Sequence, residues 1–368
     1  MRENIYYWKC DNGIPKEIKL RGYKDDYGKT DISQIVIDAC TSFFGKPPVK
    51  VEKFSDSQTG NHDAYRVIYE DKVYFFRADE SFTTDEYLLA EKAATDLARA
   101  NGVKAPIVYF VDTTKNIFPI RYSIMEYVPG SPMNLFYGDK TMDREKAARS
   151  LAHELGKLHQ IKLNKFGFIN TDIYKETGKI EGLDLTNKDY FFKKLNDHLI
   201  FLENSGFLDS EMIEEIRNLI AKNSYALDIE QGYMVHKDAP FWNVNGTESE
   251  VLAILDWDDV ISGDPLDDLA VIKCFYQDDV WLPFIDEYQK NFSLGENASL
   301  RFWLYFLRNM IWKAVFRIDM GYFNVSSNRS FINSSEQTLE EFTYSQIKLG
   351  IENLQRLSIQ KNQVNKII

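Results

Sequence analysis

Apolar residues in this chain change spacing along its length, and the change divides it into two parts. Residues 33–44 place Val36, Ile37, Cys40, Phe43 and Phe44 at helical intervals, and the pattern stops near Gly45 and Pro47-Pro48, a helix-ending signal. Three short runs follow at 49–54, 64–70 and 73–78, with the alternation and flanking turn residues of strands, the last two joined by Glu70-Asp71-Lys72. A helical stretch over 85–101 and two further apolar runs at 107–111 and 122–126 complete a mixed first part.

Beyond residue 129 helical spacing dominates. Residues 145–159 carry Ala148, Leu151, Ala152, Leu155 and Leu158 at intervals of three and four, and further helices are predicted over 189–204, 209–226, 266–277, 282–292 and 339–357, with Asp209 as an N-cap. Residues 300–320 are apolar on nearly every face, with Phe302, Trp303, Leu304, Phe306 and Leu307, which predicts a buried helix. The Ser/Asn-rich 324–335 reads as a loop, and no internal repeat is visible.

The length, 368 residues, exceeds what one core usually supports, so two lobes are expected, with an extension over 1–30, an N-lobe over 31–128 and a C-lobe over 129–368. Hydrophobic content of 44% and charged content of 27% are those of a globular protein. No apolar run approaches the roughly 18 residues of a membrane span, and the first residues lack an apolar signal core, so no membrane association and a cytoplasmic location are expected. The net charge of −12 is concentrated in residues 181–300, which hold 25 acids and 8 bases. That surface disfavours nucleic acid and suits a cationic small molecule, or is simply solvated with some acids reserved for metal. Cys10, Cys40 and Cys274 are too scattered for a disulfide framework, and His153 and His159, six apart, do not share a helix face.

The chemistry concentrates in 235–259. There His236-x-Asp238-x-x-x-x-Asn243 precedes an apolar run ending in Asp256. Phosphoryl transfer asks a protein for positioning, charge neutralisation and a carboxylate that orients the attacking hydroxyl. Asp238 is the candidate for the last, and Asn243 and Asp256 are hard oxygen ligands of the type magnesium takes.

These residues resemble the aminoglycoside phosphotransferase and choline kinase-like family of small-molecule kinases. His236, Asp238 and Asn243 match its H-G-D-x-x-x-x-N loop, Asp256-Trp257 its strand end, and Gly263-Asp264-Pro265 with Asp268-Leu269-Ala270 its G-D-P-x-x-D-L-A stretch. Position 237 departs, being Lys where the family mostly carries Gly or Asn. The resemblance implies an α+β, two-lobed protein kinase-like fold, with an antiparallel sheet and helix in the small N-lobe and a larger, mainly helical C-lobe. It implies ATP, with GTP open, and Mg2+ held by Asn243 and Asp256. Gly60 and Asn61 fall in the loop that would cover phosphates. Arg77 would contact them, paired with Glu91 or, in competition, Glu86, and the backbone of Glu126, Tyr127 and Val128 would meet the base. Asp238 would be the catalytic carboxylate, with His236 bracing the loop, Asp264 and Asp268 binding backbone or loop groups, His159 a structural, hydrogen-bonded histidine and Asp258 adding a carboxylate near the metal. The expected activity is transfer of the γ-phosphate to a hydroxyl of a small molecule, first an aminoglycoside or similar amino sugar, then a macrolide, amino alcohol or other metabolite. A nucleotide-binding protein without turnover is the alternative, and monomer and homodimer are both open. No D-F-G or A-P-E motif of protein kinases follows Asp256.

Overall fold

The helix expected over 33–44 forms as α1 (Ser33–Phe44) and ends at Gly45, whose φ of 74° is left-handed and closes the last turn onto Thr41. The structure, a computed structural model, describes residues 31–54, 63–79, 86–319, 321–324 and 337–359. After α1 come β1 (Lys50–Lys53), β2 (Asp63–Ile68) and β3 (Val73–Asp79), then α2 (Tyr87–Ala100), β4 (Val108–Asp112) and β5 (Arg121–Glu126). These five strands make one antiparallel sheet in the order β1-β2-β3-β5-β4. Val36, Ala39 and Cys40 of α1 pack on Tyr65, Phe76, Tyr122 and Ile124 of the sheet, with Phe76 and Tyr122 stacked at 5.1 Å. The other helix, α2, instead gives Ala90, Ala94 and Ala98 to the larger core beyond the sheet, which ties the two parts together.

The C-terminal part is mainly helical. β6 (Ser131–Pro132) leads into α3 (Met133–Gly138) and α4 (Arg144–Leu158), whose N-cap Asp143 accepts from the Lys146 amide. β7 (Lys162–Leu163) and β8 (Phe166–Ile169) are followed by α5 (Thr171–Thr177), β9 (Gly182–Asp184), α6 (Asn187–Phe192), α7 (Leu195–Asn204) and α8 (Ser210–Asn223). Then come β10 (Gly232–Val235), β11 (Val244–Gly246), β12 (Val251–Ile254) and β13 (Ile261–Gly263), and α9 (Leu266–Phe275), α10 (Asp278–Asn291), α11 (Ala298–Asp319) and α12 (Leu339–Ile359). The 236–243 segment lies between short strands of two sheets, ordered β7-β10-β13-β8-β9 and β12-β11-β6. It is backed by α9, which packs on α11, and α11 is buried along most of its length, as its composition predicts.

Two helical expectations need correction. Residues 189–204 form two helices rather than one, because Lys194 adopts a left-handed φ of 59° that breaks the backbone ladder between α6 and α7. The run over 209–226 is α8 and a separate 3-10 turn at Ser224–Leu227, with Asp209 the N-cap expected, accepting from the Met212 amide at 2.8 Å. The extension over 1–30, most of the 324–335 loop, Gly60 and Asn61 lie outside the described residues.

Candidate active site

Arg77 on β3 is the centre of an ion cluster where the first sheet meets the C-terminal part. Its Nη1 donates to both Glu91 oxygens on α2, each at 3.1 Å, and lies 3.0 Å from Asp256 Oδ1, while Nη2 donates to Asp258 Oδ2 at 2.8 Å. The guanidinium also rests over the Tyr87 ring at 5.2 Å. Glu86, the competing partner, is engaged elsewhere, with Thr171 Oγ1 at 2.9 Å and Lys175. Three carboxylates thus face one guanidinium, a formal excess of two negative charges. Burial raises Glu91 above its ordinary range despite Arg77. Asp256 is also raised, by desolvation first and then by the Asp258 carboxylate, against the pull of Arg77. Of the three acids only Asp256 is open, with its side chain 36% exposed against 1% for Glu91 and 3% for Asp258. Asp256 has a left-handed φ of 62°, a conformation tolerated best by Asp and Asn among residues with a side chain. The turn after it is pinned by buried Trp257, whose indole donates to the Ile254 carbonyl at 2.7 Å.

The loop after β10 presents Asp238. One of its oxygens is fixed: Oδ2 accepts from Asn243 Nδ2 at 2.9 Å and, more weakly, from Trp242 Nε1 at 3.4 Å. The other, Oδ1, is buried and receives no hydrogen bond. Asn243 Nδ2 also donates to the Asp238 carbonyl at 2.8 Å, so its amide oxygen is the group left for a ligand. The Leu255 amide donates to the Asn243 carbonyl at 2.7 Å, which ties this loop to the strand that delivers Asp256. His236 braces the same join, with Nε2 donating to the Leu255 carbonyl at 3.0 Å and Nδ1 accepting from the Asp238 amide at 3.2 Å. That assignment requires a neutral ring, and burial lowers the His236 pKa accordingly.

Beneath the loop, Asp268 on α9 is a buried anchor. Its carboxylate accepts from the His236 amide at 2.8 Å, the Lys237 amide at 2.7 Å and His159 Nε2 at 2.9 Å, and His159 Nδ1 meets the Tyr288 hydroxyl at 2.7 Å. Burial raises the Asp268 pKa, but these hydrogen bonds outweigh it and hold the group below its ordinary value. Asp264 caps the start of α9 through the Leu266 amide at 3.1 Å and pairs with Arg301 at 2.6 Å.

Lys237 has a φ of 73°, which explains why a glycine suits this position. Its ammonium turns inward to Asp267 Oδ1 at 2.7 Å and Asn309 Oδ1 at 2.9 Å, joining the loop to α9 and α11. The side chain is therefore a brace and does not point toward a transferring group. At the end of β5, the Glu126 amide donates to the Ile107 carbonyl at 2.7 Å. Asn245 donates to the Val128 carbonyl at 3.3 Å.

The structure brings Arg77, Glu91, Asp238, Asn243 and Asp256 to one junction and keeps Glu86 out of it. Sequence reasoning missed Trp242 and Lys313, whose Nζ lies 3.6 Å from Asp238 Oδ1. Trp242 sits in the spacer of the loop motif and so carried a positional signal. Lys313 was hidden within a helix that reads as apolar all round. Among the described residues no group of three or more His, Cys, Asp or Glu side chains forms a metal cage. The oxygens of Asn243 and Asp256 fit magnesium, which takes one or two protein ligands and completes its shell with water and phosphate. No helix among the described residues is long and apolar enough to cross a membrane.

The model of a family described as the phosphotransferase enzyme family matches residues 56–303. A search of curated proteins finds no match. Among solved structures, a thermostable mutant of aminoglycoside phosphotransferase APH(4)-Ia, in ternary complex with ADP and hygromycin B, has a TM-score of 0.61 at 13% identity, over 86% of this chain and 98% of its own. A candidate fructosamine-3-kinase from Haemophilus somnus 129PT gives 0.59 at 15%, over 87% and 96%. The gentamicin complex of APH(2″)-IIa gives 0.53 at 16%, over 89% and 97%. These likenesses establish the fold, a mixed α/β arrangement with an antiparallel N-terminal sheet and a helical C-terminal part.

Proposed function

This chain belongs to the phosphotransferase enzyme family, and on that premise we propose that it transfers the γ-phosphate of ATP to a hydroxyl of a small molecule. The reading rests on one carboxylate. Asp238 has Oδ2 fixed by Asn243 and Oδ1 buried without a donor, the condition of a base waiting for an acceptor proton. Asp268, the structural carboxylate beneath the same loop, has both oxygens filled.

When bound, magnesium-ATP supplies the phosphoryl group and neutralises its charge. Asn243 and Asp256 are the residues to hold the metal, and the excess negative charge around Arg77 favours a cation there. Of the three carboxylates described around Arg77, Asp256 is the exposed one, so it is the contact that yields when the guanidinium turns to a phosphate. Glu91 and Asp258, both buried, keep Arg77 aimed. The hinge backbone at 126–128 takes the base, and GTP competes for the same groups. Gly60 and Asn61 would cover the phosphates.

The acceptors of the aminoglycoside phosphotransferase neighbours make amino sugars the first to test, followed by macrolides, amino alcohols and plain sugars. The assay is magnesium-dependent ADP release against this panel, with Asp238→Asn as control. Turnover that appears with wild type and falls by about 10²- to 10⁴-fold in the variant, with ATP affinity retained, is the expected result. Undiminished turnover in the variant would remove Asp238 from the chemistry. Tight ATP binding with no acceptor turned over would favour a binding protein.

A further inference from the structure

The cation nearest the open oxygen of Asp238 is Lys313 on α11, 3.6 Å away and beyond hydrogen-bond range. Its ammonium sits over two aromatic faces, Phe275 at 5.1 Å and Trp312 at 5.0 Å. One turn later Arg317 lies over the same Phe275 ring at 5.9 Å. Arg317 is 4% exposed and donates to Thr343 Oγ1 at 2.6 Å, and among the described residues no carboxylate lies within ion-pair distance of it. Burial holds its pKa down to about 10. Two like charges four residues apart on one helix repel, and burying one of them unpaired is costly. The neighbouring Lys237 shows the usual remedy, a buried acid at 2.7 Å. Among the described residues, Lys313 and Arg317 have none beyond Asp238 itself.

The acid-rich 181–300 segment does not compensate them. Many of its acids pair with cations elsewhere: Asp184 with Lys193, Asp228 with Lys188, Asp278 with Lys273, Asp279 with Arg144 and Asp286 with Arg149. The negative net charge therefore says little about the acceptor. Among the described residues, the charged group facing the open oxygen of Asp238 is the Lys313 ammonium.

We propose that Lys313 determines acceptor specificity by binding a carboxylate on the acceptor, next to the hydroxyl that Asp238 addresses, with Arg317 reinforcing the positive field behind it. This rests on the phosphotransfer reading above. The same geometry disfavours an ammonium at that position, because the aromatic seat that would hold it is already filled by the protein's own lysine. An acceptor of the hydroxy-acid or sugar-acid class fits both oxygen chemistries, with a free base for its hydroxyl and a cation for its carboxylate.

The test uses the full chain with magnesium-ATP and two matched acceptor sets, glucose, glucosamine and glucuronate, and glycerol, 3-amino-1,2-propanediol and glycerate. Wild type, Lys313→Gln and Lys313→Arg are compared by kcat and KM for each acceptor and for ATP, and acceptor binding to the ADP-loaded protein is followed separately by saturation-transfer NMR. In at least one set, the acid is expected to exceed the amine in kcat/KM by about ten- to hundredfold. Lys313→Gln should raise the KM of the acid by a similar factor, leave the neutral member and ATP unchanged, and be rescued by Lys313→Arg. An equal fall in kcat for all acceptors would assign Lys313 to the transferring phosphoryl group and overturn the proposal. So would preference for the amine, which leaves the phosphotransfer reading intact. Binding of the acid that depends on Lys313 without any turnover would support the charge preference and sink the phosphotransfer reading. No binding and no turnover of either acid overturns the proposal.

Discussion

Asp238 and Asp268 lie on either side of His236 and differ in how completely their oxygens are used. Asp268, on α9, is buried and accepts from two backbone amides and His159. Asp238, two residues beyond His236, has one oxygen fixed and one without a donor. The residue type is shared, so the contrast comes from the partners and from exposure, the Asp238 side chain being 23% exposed and that of Asp268 1%. Asp268, with both oxygens bonded, holds the loop, and on the proposed reading the open oxygen of Asp238 is the one its chemistry would use. The loop needs both, because a base is useful only where its backbone is held still.

The comparison breaks most sharply on substitution. Asp238→Asn keeps the shape and the Asn243 neighbourhood, and is expected to lower kcat by about 10²- to 10⁴-fold with an unchanged melting temperature, read by steady-state kinetics and calorimetry. Asp268→Ala should do the reverse. It strands two backbone amides and His159, and is expected to lower stability by about 3–5 kcal/mol in denaturant titration, with activity following the folded fraction. If the two variants showed the same profile, partner count would not separate their roles.

Lys237→Gly sharpens the comparison from a third position. It relieves a left-handed conformation that costs about 1–2 kcal/mol, but leaves Asp267 buried without its cation, a loss of about 3–5 kcal/mol. The net expectation is destabilisation by about 2–3 kcal/mol, partly recovered when Asp267→Asn is added. Acid titration probes both sides, with opposite signs. Burial holds His198 at about 3, below its ordinary 6.5, and lowers His236 as well. Depressed pKa values of this kind give stability that is complete above about pH 6.5 and is lost as pH falls toward 3. Asp268, also depressed, adds to the loss below about pH 4. The raised Asp256 and Glu91 take up protons over the same range and offset part of this loss, so the fall in thermal midpoint from pH 7 to pH 4 is expected to be steeper in Asp256→Asn than in wild type. The smallest effect belongs to the exposed cluster of Arg149 with Glu145 and Asp286, where Arg149→Ala should leave the midpoint unchanged.

Much of the fold was legible because it is written in local spacing. The alternation over β2 and β3, the helical period of α4, and the Asp209 cap each follow from near neighbours along the chain. The breaks were not legible. Lys194 carries no glycine or proline signal, yet its left-handed backbone splits α6 from α7, and only packing on both sides selects that conformation. Short strands such as β8 and β9 have too few residues to show a period.

The same division holds at the site. Sequence alone determined which residue types stand at Asp238, Asn243 and Asp256, and their order, because the H-x-D-x-x-x-x-N loop and the strand-ending Asp are contiguous patterns. It also named Arg77 and offered Glu91 and Glu86 as partners. Tertiary structure decided between those two by engaging Glu86 with Thr171 and Lys175, turned Lys237 inward to Asp267, and set Lys313 beside the open oxygen of Asp238. These are contacts across 30 or more positions of chain, made by side chains whose reach and direction depend on how helices and sheets pack. Periodicity reports which face of an element is buried. Which partner a charge finds there is settled only when the faces meet.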